Sequence, residues 1–356
     1  AIRGESLVLG VVEDVISIPA SIVGNVYDVA ILSPYSPSSR LGDKSQFPFF
    51  SRIFISATQE VDLLQKQLLY FSEIGGRGWT DVAVLANIQD SNIDFAFSFI
   101  RATEGNALNI VSYQQIFVEQ ENLEIEFNEI LKSGARVIVT SILVDLNYVM
   151  EKAEAFGLVG EHYVWCSSSS SGLSLEPAPQ LQGLLVSTMQ TDTTTANYEC
   201  FTNEIMANPE TASPLSPGLY VDNMDTILAA AYAIRALDDM EMLDGRRISA
   251  QMWSDVIRSV SFEGTAGQVS FLPNGDRDAN LEMNYYNFGG NDETTSGLVK
   301  FSVLSGDELT QVADVVWYSN STELPDLDIR PAFHYWSCKD GERGFDETGK
   351  TISIHS

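Results

Sequence analysis

Hydrophobic positions along the chain alternate between two periods. Short apolar, β-branched runs read as buried strands. They are Leu7-Val8-Leu9-Gly10-Val11-Val12, Val29-Ala30-Ile31-Leu32, Val82-Ala83-Val84-Leu85, residues 110–113, Arg136-Val137-Ile138-Val139-Thr140, Tyr163-Val164-Trp165-Cys166 and Leu184-Leu185-Val186-Ser187. Between them the period is helical, weakly so over residues 16–23. Ser56 and Gln59 stand at capping-box spacing, and Val61, Leu64, Leu68 and Phe71 then recur as one apolar stripe. Gly75, Gly76 and Gly78 end that helix. Residues 95–101, 121–131 and 146–156 read as further helices, the second stopped by Gly134. Short apolar strands alternating with such helices predict parallel sheets covered on both faces.

The pattern changes after Ser167. Five serines, Ser167 to Ser171, with Pro177 and Pro179 beyond them, read as a connection between units. A long helix is predicted over residues 221–237, with Ile227, Ala230, Ala231 and Ile234 on one face. From Phe262 the chain reads as β-rich: Gly267-Gln268-Val269-Ser270-Phe271, a turn at Pro273-Asn274-Gly275-Asp276, then Tyr285-Tyr286-Asn287-Phe288. From Asp326 it is polar and without period, and no internal repeat is visible.

The 356 residues are long enough for two packed units or one large α/β domain, and 44% hydrophobic residues make an ordered core feasible. A net charge of −29 disfavours nucleic acid and anionic membrane surfaces as partners, because both are negatively charged. The same excess of acid keeps a protein soluble in a saline or marine setting, which is the setting it suggests. No apolar run is long enough to span a bilayer. The opening residues lack a signal-peptide layout, so any secretory signal is expected to have been removed or to lie outside this chain. Cys166, Cys200 and Cys338 are too few for a disulfide scaffold and too far apart for a zinc site. Asn320-Ser321-Thr322 is a glycosylation sequon if the chain is secreted.

Candidate chemistry is sparse. The stretch from Gly344 to Thr351 spells G-x-x-x-x-G-K-T, but a phosphate loop needs a following helix, and Ile352-Ser353-Ile354 is strand-like. Asp346 and Glu347 would also set two carboxylates beside the phosphate. His162, His334 and His355 have no nucleophile partner in the pattern, and no G-x-S-x-G elbow occurs. No enzyme activity, metal or cofactor is therefore expected. Asp222 and Asp225, three apart near a helix start, read first as capping and dipole residues. Glu13 and Asp14 follow a strand, where an α/β sheet places its ligand loop, and read equally as a solvated helix start. The Ser36/Ser38 loop and the run from Ser167 also follow strands at their carboxyl ends, where hydroxyls can bind a small polar molecule. For Ser169 to Ser171 a plain linker is the simpler reading.

Several stretches, in order, resemble the extracellular ligand-binding domain of the receptor family that includes natriuretic-peptide receptor guanylate cyclases and glutamate- and GABA-type receptors. That family is related to the type I periplasmic binding proteins. The stretches are Leu41-Gly42-Asp43-Lys44 with Phe47-Pro48-Phe49-Phe50-Ser51-Arg52, then Gly78-Trp79-Thr80-Asp81-Val82-Ala83-Val84-Leu85, Arg136-Val137-Ile138-Val139 and Gly160-Glu161-His162-Tyr163-Val164-Trp165. The last runs from Ser261 to Phe271, with Asn274-Gly275-Asp276-Arg277 behind it. The resemblance implies an α/β fold of two doubly wound parallel-sheet lobes joined by a hinge, with ligand in the cleft. It implies lobe one at residues 1–78 and 197–280, lobe two at 79–196 and 281–320, and a polar connector at 321–356. Two strand–helix units that open the family's first lobe are missing, so a sheet edge is expected to be exposed.

The implied ligand positions are Glu13 and Asp14, then Tyr35, Ser36 and Ser38, with Asp90 and Ser91, Ser167 and Ser168 from lobe two, and Asp225. Where amino-acid-binding relatives hold a carboxylate and an ammonium, these residues lack the matching charges, so α-amino acids are not the expected ligand. The resemblance points to a non-enzymatic, cell-surface sensor of a small molecule or peptide. It implies pairing of copies or subunits through lobe one, and a membrane reached only through segments outside the chain. The alternative is a structural or assembly module whose cleft has lost its ligand.

Overall fold

The computed structural model describes residues 6–117, 119–142, 146–169, 175–207, 217–245, 247–265, 267–289 and 296–328. Ser170 and Ser171, Cys338, His334, His355 and the Gly344–Thr351 stretch lie outside them, as does nearly all of the predicted connector.

Two separate sheets carry the fold. The smaller has three parallel strands in the order β1-β2-β3: β1 (Leu7–Leu9), β2 (Ala30–Ser33) and β3 (Phe50–Arg52). Helix α1 (Asp14–Tyr27) links the first two. One face of this sheet packs Ile31, Phe50, Leu41 and Phe47 beneath α1, with Val11 and Ile18 at the margin. The other face packs Leu32 and Ile53 against helices α7 (Pro217–Asp239) and α8 (Ala250–Ser259) and the hairpin β9 (Phe262–Gly264) and β10 (Gly267–Val269).

The larger sheet has eight strands in the order β13-β12-β11-β8-β7-β6-β4-β5. The strands β4 (Asp81–Asn87), β5 (Asn109–Ile116), β6 (Val137–Ser141), β7 (Val164–Ser167) and β8 (Leu185–Met189) run parallel. The strands β11 (Leu281–Asn287), β12 (Gly297–Ser305) and β13 (Glu308–Gln311) add an antiparallel edge that the sequence pattern announced only at Tyr285–Phe288. Successive side chains on a strand point to opposite faces. Val82, Val84 and Ala86 accordingly join one core with α2 (Ala57–Gly75) and α3 (Asp90–Ala102), while Ala83 and Leu85 join another with α4 (Glu124–Ser133) and α5 (Leu146–Ala155). The expected alternation of strands and helices is thus present. Helix α6 (Ala196–Ala207) and α8 were not anticipated.

Helix α2 forms where the pattern placed it. The Ser56 side chain accepts from the Gln59 backbone N–H, and the Gln59 side chain accepts from the Ser56 N–H at 2.9 Å. Its stripe of Val61, Leu64, Leu68 and Phe71 is buried against the larger sheet, although the sequence division groups residues 1–78 with the first lobe. Gly75 is the last residue of the helix, where a Cβ would run into Trp79, and Gly76, with φ 78°, turns the chain out of it. Gly134 caps α4 in the left-handed region, φ 77°.

The face assigned to α7 needs correction. Ile227 and Ile234 are 57% and 46% exposed, and Ala231 is exposed too. The buried stripe is Asp222, Asp225, Thr226, Ala229, Ala230, Ala233 and Leu237. Asp225 and Thr226, which find internal partners, take the packed side in place of the larger aliphatics.

Candidate functional site

The carboxyl ends of the lobe-one strands are built from small hydroxyls and one buried arginine. Ser33 closes β2, and its hydroxyl donates to the Val11 carbonyl at 2.6 Å and to Ser36 Oγ at 2.9 Å. Ser17, from α1, shares a 2.5 Å hydrogen bond with the same Ser36 hydroxyl. Ser38 caps a short 3-10 turn, Ser39–Gly42, accepting from the Arg40 N–H, while its own N–H donates to Asp14 Oδ1 at 3.0 Å. Arg52, fully buried at the end of β3, donates to the carbonyls of Ser36 and Ser38 and pairs with Asp276 Oδ1 at 2.7 Å. A buried guanidinium needs such a set of acceptors, because each unmet donor there carries a desolvation cost. The serines of the 36–38 loop therefore hold the loop's shape.

The lobe-two edge repeats the theme with amides. Asn92, in α3, donates to the Asn87 side chain at the end of β4 and accepts from Ser141 Oγ at 2.9 Å. Ser141 and Ser168 share a 3.0 Å hydrogen bond, and the Ser168 N–H donates to the Thr140 carbonyl. The Ser167 hydroxyl is fully buried and has no partner. Glu60, in α2, accepts from Ser187 Oγ at 2.6 Å and from the Ser169 N–H. Burial pushes its pKa up, against those two hydrogen bonds.

Between the two edges lies Tyr35. Its ring packs on Phe54, with centroids 4.4 Å apart, and on the lobe-two core, while the Glu13 N–H donates to its carbonyl. Burial raises the pKa of the phenol, and so, in decreasing order, do the charges of Glu60, Asp14, Asp222 and Glu13. Asp14 is 3% exposed and its carboxyl is pushed up to about 6, chiefly by burial. Asp222 is 4% exposed and is pushed up to about 7 for the same reason, with Arg277 opposing and Asp225 adding to the rise. Asp14 Oδ2 and Asp222 Oδ1 have no hydrogen-bond partner. Across the mouth, Asp94 of α3 accepts from the Ser39 N–H at 2.7 Å and from Ser39 Oγ at 2.9 Å, joining the two lobes.

Asp14, Tyr35, Ser36 and Ser38 thus gather at one edge, and Ser167 and Ser168 at the other. Glu13 is exposed, with a positive φ of 65°. Asp90 is exposed and Ser91 half-buried in the first turn of α3. Asp225 is held by the Thr265 N–H at 2.5 Å and by Arg277 at 3.4 Å, an internal brace between α7 and the β9–β10 hairpin. Asn320 stands exposed in a turn closed by Trp317 and Ser321.

Sequence reasoning passed over Glu60, Asp94 and Arg52. Glu60 was legible: it falls on the buried stripe of Ala57, Val61, Leu64 and Leu68, where an acid requires a partner. Asp94 gave no signal, and although Arg52 and Asp276 both stand in the family-like stretches, nothing in the sequence showed that they pair across 224 residues. Among the described residues no group of three or more His, Cys, Asp or Glu is placed to hold a metal ion.

A model of the receptor family ligand binding region matches residues 3–287, from ahead of β1 to the end of β11. No curated protein matches the chain.

Proposed function

The chain belongs to the receptor-family ligand-binding region, and from that membership we propose that it is the sensing module of a cell-surface receptor. It binds a small molecule in the seam between its lobes and carries out no reaction. The observation that carries this reading is the seam itself. Two sheets with separate cores turn the carboxyl ends of their parallel strands toward one polar region, and the Ser39–Asp94 contact bridges it. Strand ends of open α/β sheets are the usual ligand edge. Two lobes built on separate sheets can open and close about a hinge, so a ligand touching both shifts the balance toward the closed form. The hydroxyls of Ser17, Ser33, Ser36, Ser141 and Ser168 and the carboxylates of Glu60 and Asp94 hold one another or the backbone, an arrangement suited to shape rather than to bond breaking.

Small-angle scattering tests this directly. In the free chain Asp94→Asn weakens the bridge, since a neutral amide accepts more weakly than a carboxylate, and the expected result is a larger mean radius of gyration. A ligand found by thermal shift is expected to reverse that expansion. If neither the substitution nor any ligand that stabilises the protein changes the radius, the hinge reading fails.

A second reading, an assembly module, draws on α1. That helix buries Asp14, Ser17, Ser21 and Gly24, and leaves Val15, Ile16, Ile22, Val23, Val26 and Tyr27 exposed beside the edge strand β1. Sedimentation separates the two readings: a monomer that binds small molecules supports sensing, and a fixed oligomer indifferent to them supports assembly.

A further inference from the structure

We propose that Asn320 is the acceptor of an N-linked oligosaccharide, presented by a surface turn that the larger lobe alone carries. The proposal takes its setting from the cell-surface reading, since such sugars are attached to chains that enter the secretory route.

Asn320-Ser321-Thr322 is the only Asn-x-Ser/Thr triplet in the sequence, and its middle residue is not proline. The pattern carries weight where the fold places it in a surface loop, because a bulky polar sugar has no room inside a packed element. The loop here is fixed at both ends. Trp317 is 3% exposed, and its ring centroid lies 5.6 Å from that of Phe71 and 5.7 Å from that of Trp79. Leu327 is buried as well and lies against Gly78, where a Cβ would run into its backbone. Between these anchors residues 318–326 pass over the surface, and none of them is buried.

The backbone closes the turn. The Asn320 N–H donates to the Trp317 carbonyl at 2.9 Å, and the Trp317 N–H donates to the Ser321 carbonyl at 2.9 Å. Asn320 takes a positive φ of 58°, which asparagine tolerates better than most residues. Ser321 is occupied in the turn, its hydroxyl oxygen accepting from the Glu323 N–H at 3.0 Å. Asn320 and Thr322 are both exposed, and neither side chain is hydrogen-bonded to another described residue. The acceptor amide and the hydroxyl two residues on are thus both open to solvent.

The contacts that seat this segment come from the larger lobe. The Gln182 side chain donates to the Val316 carbonyl at 2.7 Å, and the Tyr318 hydroxyl reaches Glu154 Oε1 at 3.3 Å. Leu324 and Asp328 lie beside Gly75 and Gly76 at the end of α2. A sugar on Asn320 therefore moves with one lobe and leaves the hinge free. It also closes the surface around the turn to protein partners, whereas α1, on the smaller lobe, carries no such triplet and stays open.

The transfer needs a lipid-pyrophosphate-linked oligosaccharide as donor. Asn320 Nδ2 bonds to the anomeric carbon of the first sugar, and the bond from that carbon to the pyrophosphate oxygen breaks. The lipid pyrophosphate leaves with that electron pair, and one amide proton is released.

Expression of the 356-residue chain behind a cleavable secretory leader in eukaryotic cells tests this, with intact mass read before and after peptide-N-glycosidase treatment. The expected result is one glycan, whose removal leaves aspartate at position 320. Asn320→Gln and Thr322→Ala are each expected to abolish it, and Thr322→Ser to keep it at reduced occupancy. Thr322→Ala spares Asn320 and the bonds that close the turn, so its loss of sugar reads the hydroxyl and not the fold. Asp94→Asn is expected to change the radius of gyration equally with and without Thr322→Ala. Protein retained in the cell gives the same mass readout, because attachment follows entry into the secretory route. Unmodified Asn320 overturns the proposal and leaves the sensing reading standing. A glycan that survives Thr322→Ala places the acceptor elsewhere and overturns it too. An effect of Asp94→Asn confined to one of the two forms ties the sugar to both lobes and overturns its placement on the larger.

Discussion

Helices α1 and α2 each follow a strand of the small sheet, and they are turned in opposite ways. Helix α2 buries Val61, Leu64, Leu68 and Phe71 in the larger lobe's core, where Phe71 meets Trp79, Trp317 and Phe301 with ring centroids 4.9, 5.6 and 6.2 Å away. Helix α1 buries an aspartate, two serines and a glycine and shows Val15, Ile16, Ile22, Val23 and Val26 to solvent. The lobes differ in the same sense. The larger is held by apolar surface on both faces of an eight-stranded sheet. The smaller has three short strands and relies on buried polar networks, of which Arg52–Asp276 and Arg277–Asp225 are the centres. Apolar packing degrades gradually when trimmed. A buried ion pair fails abruptly when one partner is removed, because the other charge is left without compensation.

The sharpest contrast comes from one substitution in each lobe. Phe71→Ala is expected to cost about 3–5 kcal/mol by cavity formation. Arg52→Met, of similar volume, is expected to cost about 3–5 kcal/mol by stranding Asp276 and two carbonyls. Hydrogen exchange should locate the damage, with peptides of β4 and β6 losing protection in the first variant and those of β2 and β3 in the second. If Arg52→Met left β2 and β3 fully protected, the polar account of the smaller lobe would be wrong.

A smaller effect is expected from pH. The Asp14 and Asp222 carboxyls are pushed up to about 6 and about 7 in the folded protein, while in the unfolded chain they ionise near 3.8. The folded state therefore keeps protons that the unfolded state releases, and these groups lower stability as pH rises from about 4 to 7. Lys44, whose ammonium donates to the Leu41 and Phe50 carbonyls, is pushed down by burial to about 7 from 10.5. It has the reverse effect, adding stability as pH rises from about 7 to 10. All three belong to the smaller lobe, so protection of β2 and β3 should pass through a minimum near neutrality. Asp222→Asn should flatten the acid limb and Lys44→Met the alkaline limb. An unchanged profile in both variants would exclude these groups as its cause.

The same contrast explains what could be read from the sequence. The centre of the larger lobe was legible because β4, β6 and β7 are buried on both faces and its helices carry regular stripes, whereas the exposed strands β12 and β13 were not. The cap at Ser56 and the stop at Gly134 were local signals of the same kind. In the smaller lobe the sequence showed β1, β2 and the helices α1 and α7, but not β3, not α8 and not the inner face of α7. Ile227 and Ile234 looked like the inner face of α7, yet Asp222, Asp225 and Thr226 hold that position. The partners of Asp225 are Arg277 and Thr265, which lie 40 or more residues away, and no periodicity records such a pairing. The site shared this limit. Tyr35 and Asp14 stood beside predicted strands, whereas Asp94 and Arg52 owe their roles to contacts across the lobes and within the buried network.

The smallest expected effect is the most discriminating between the two readings of function. Val23 and Val26 are 55% and 76% exposed on the outer face of α1. In an isolated chain, Val23→Ser with Val26→Ser removes little packing, and surface changes of this kind stay within about 0.5 kcal/mol each. If a second copy or a partner covers that face, the same methyl groups are buried in the assembly, and each is then worth about 1 kcal/mol or more of apolar transfer. Dilution separates the cases. An unfolding midpoint that is independent of protein concentration and insensitive to the double substitution leaves α1 as an uncovered surface of a sensing monomer. A midpoint that falls on dilution, and falls further in the variant, makes α1 an interface, because linkage ties the stability of a folded subunit to the concentration of whatever binds it.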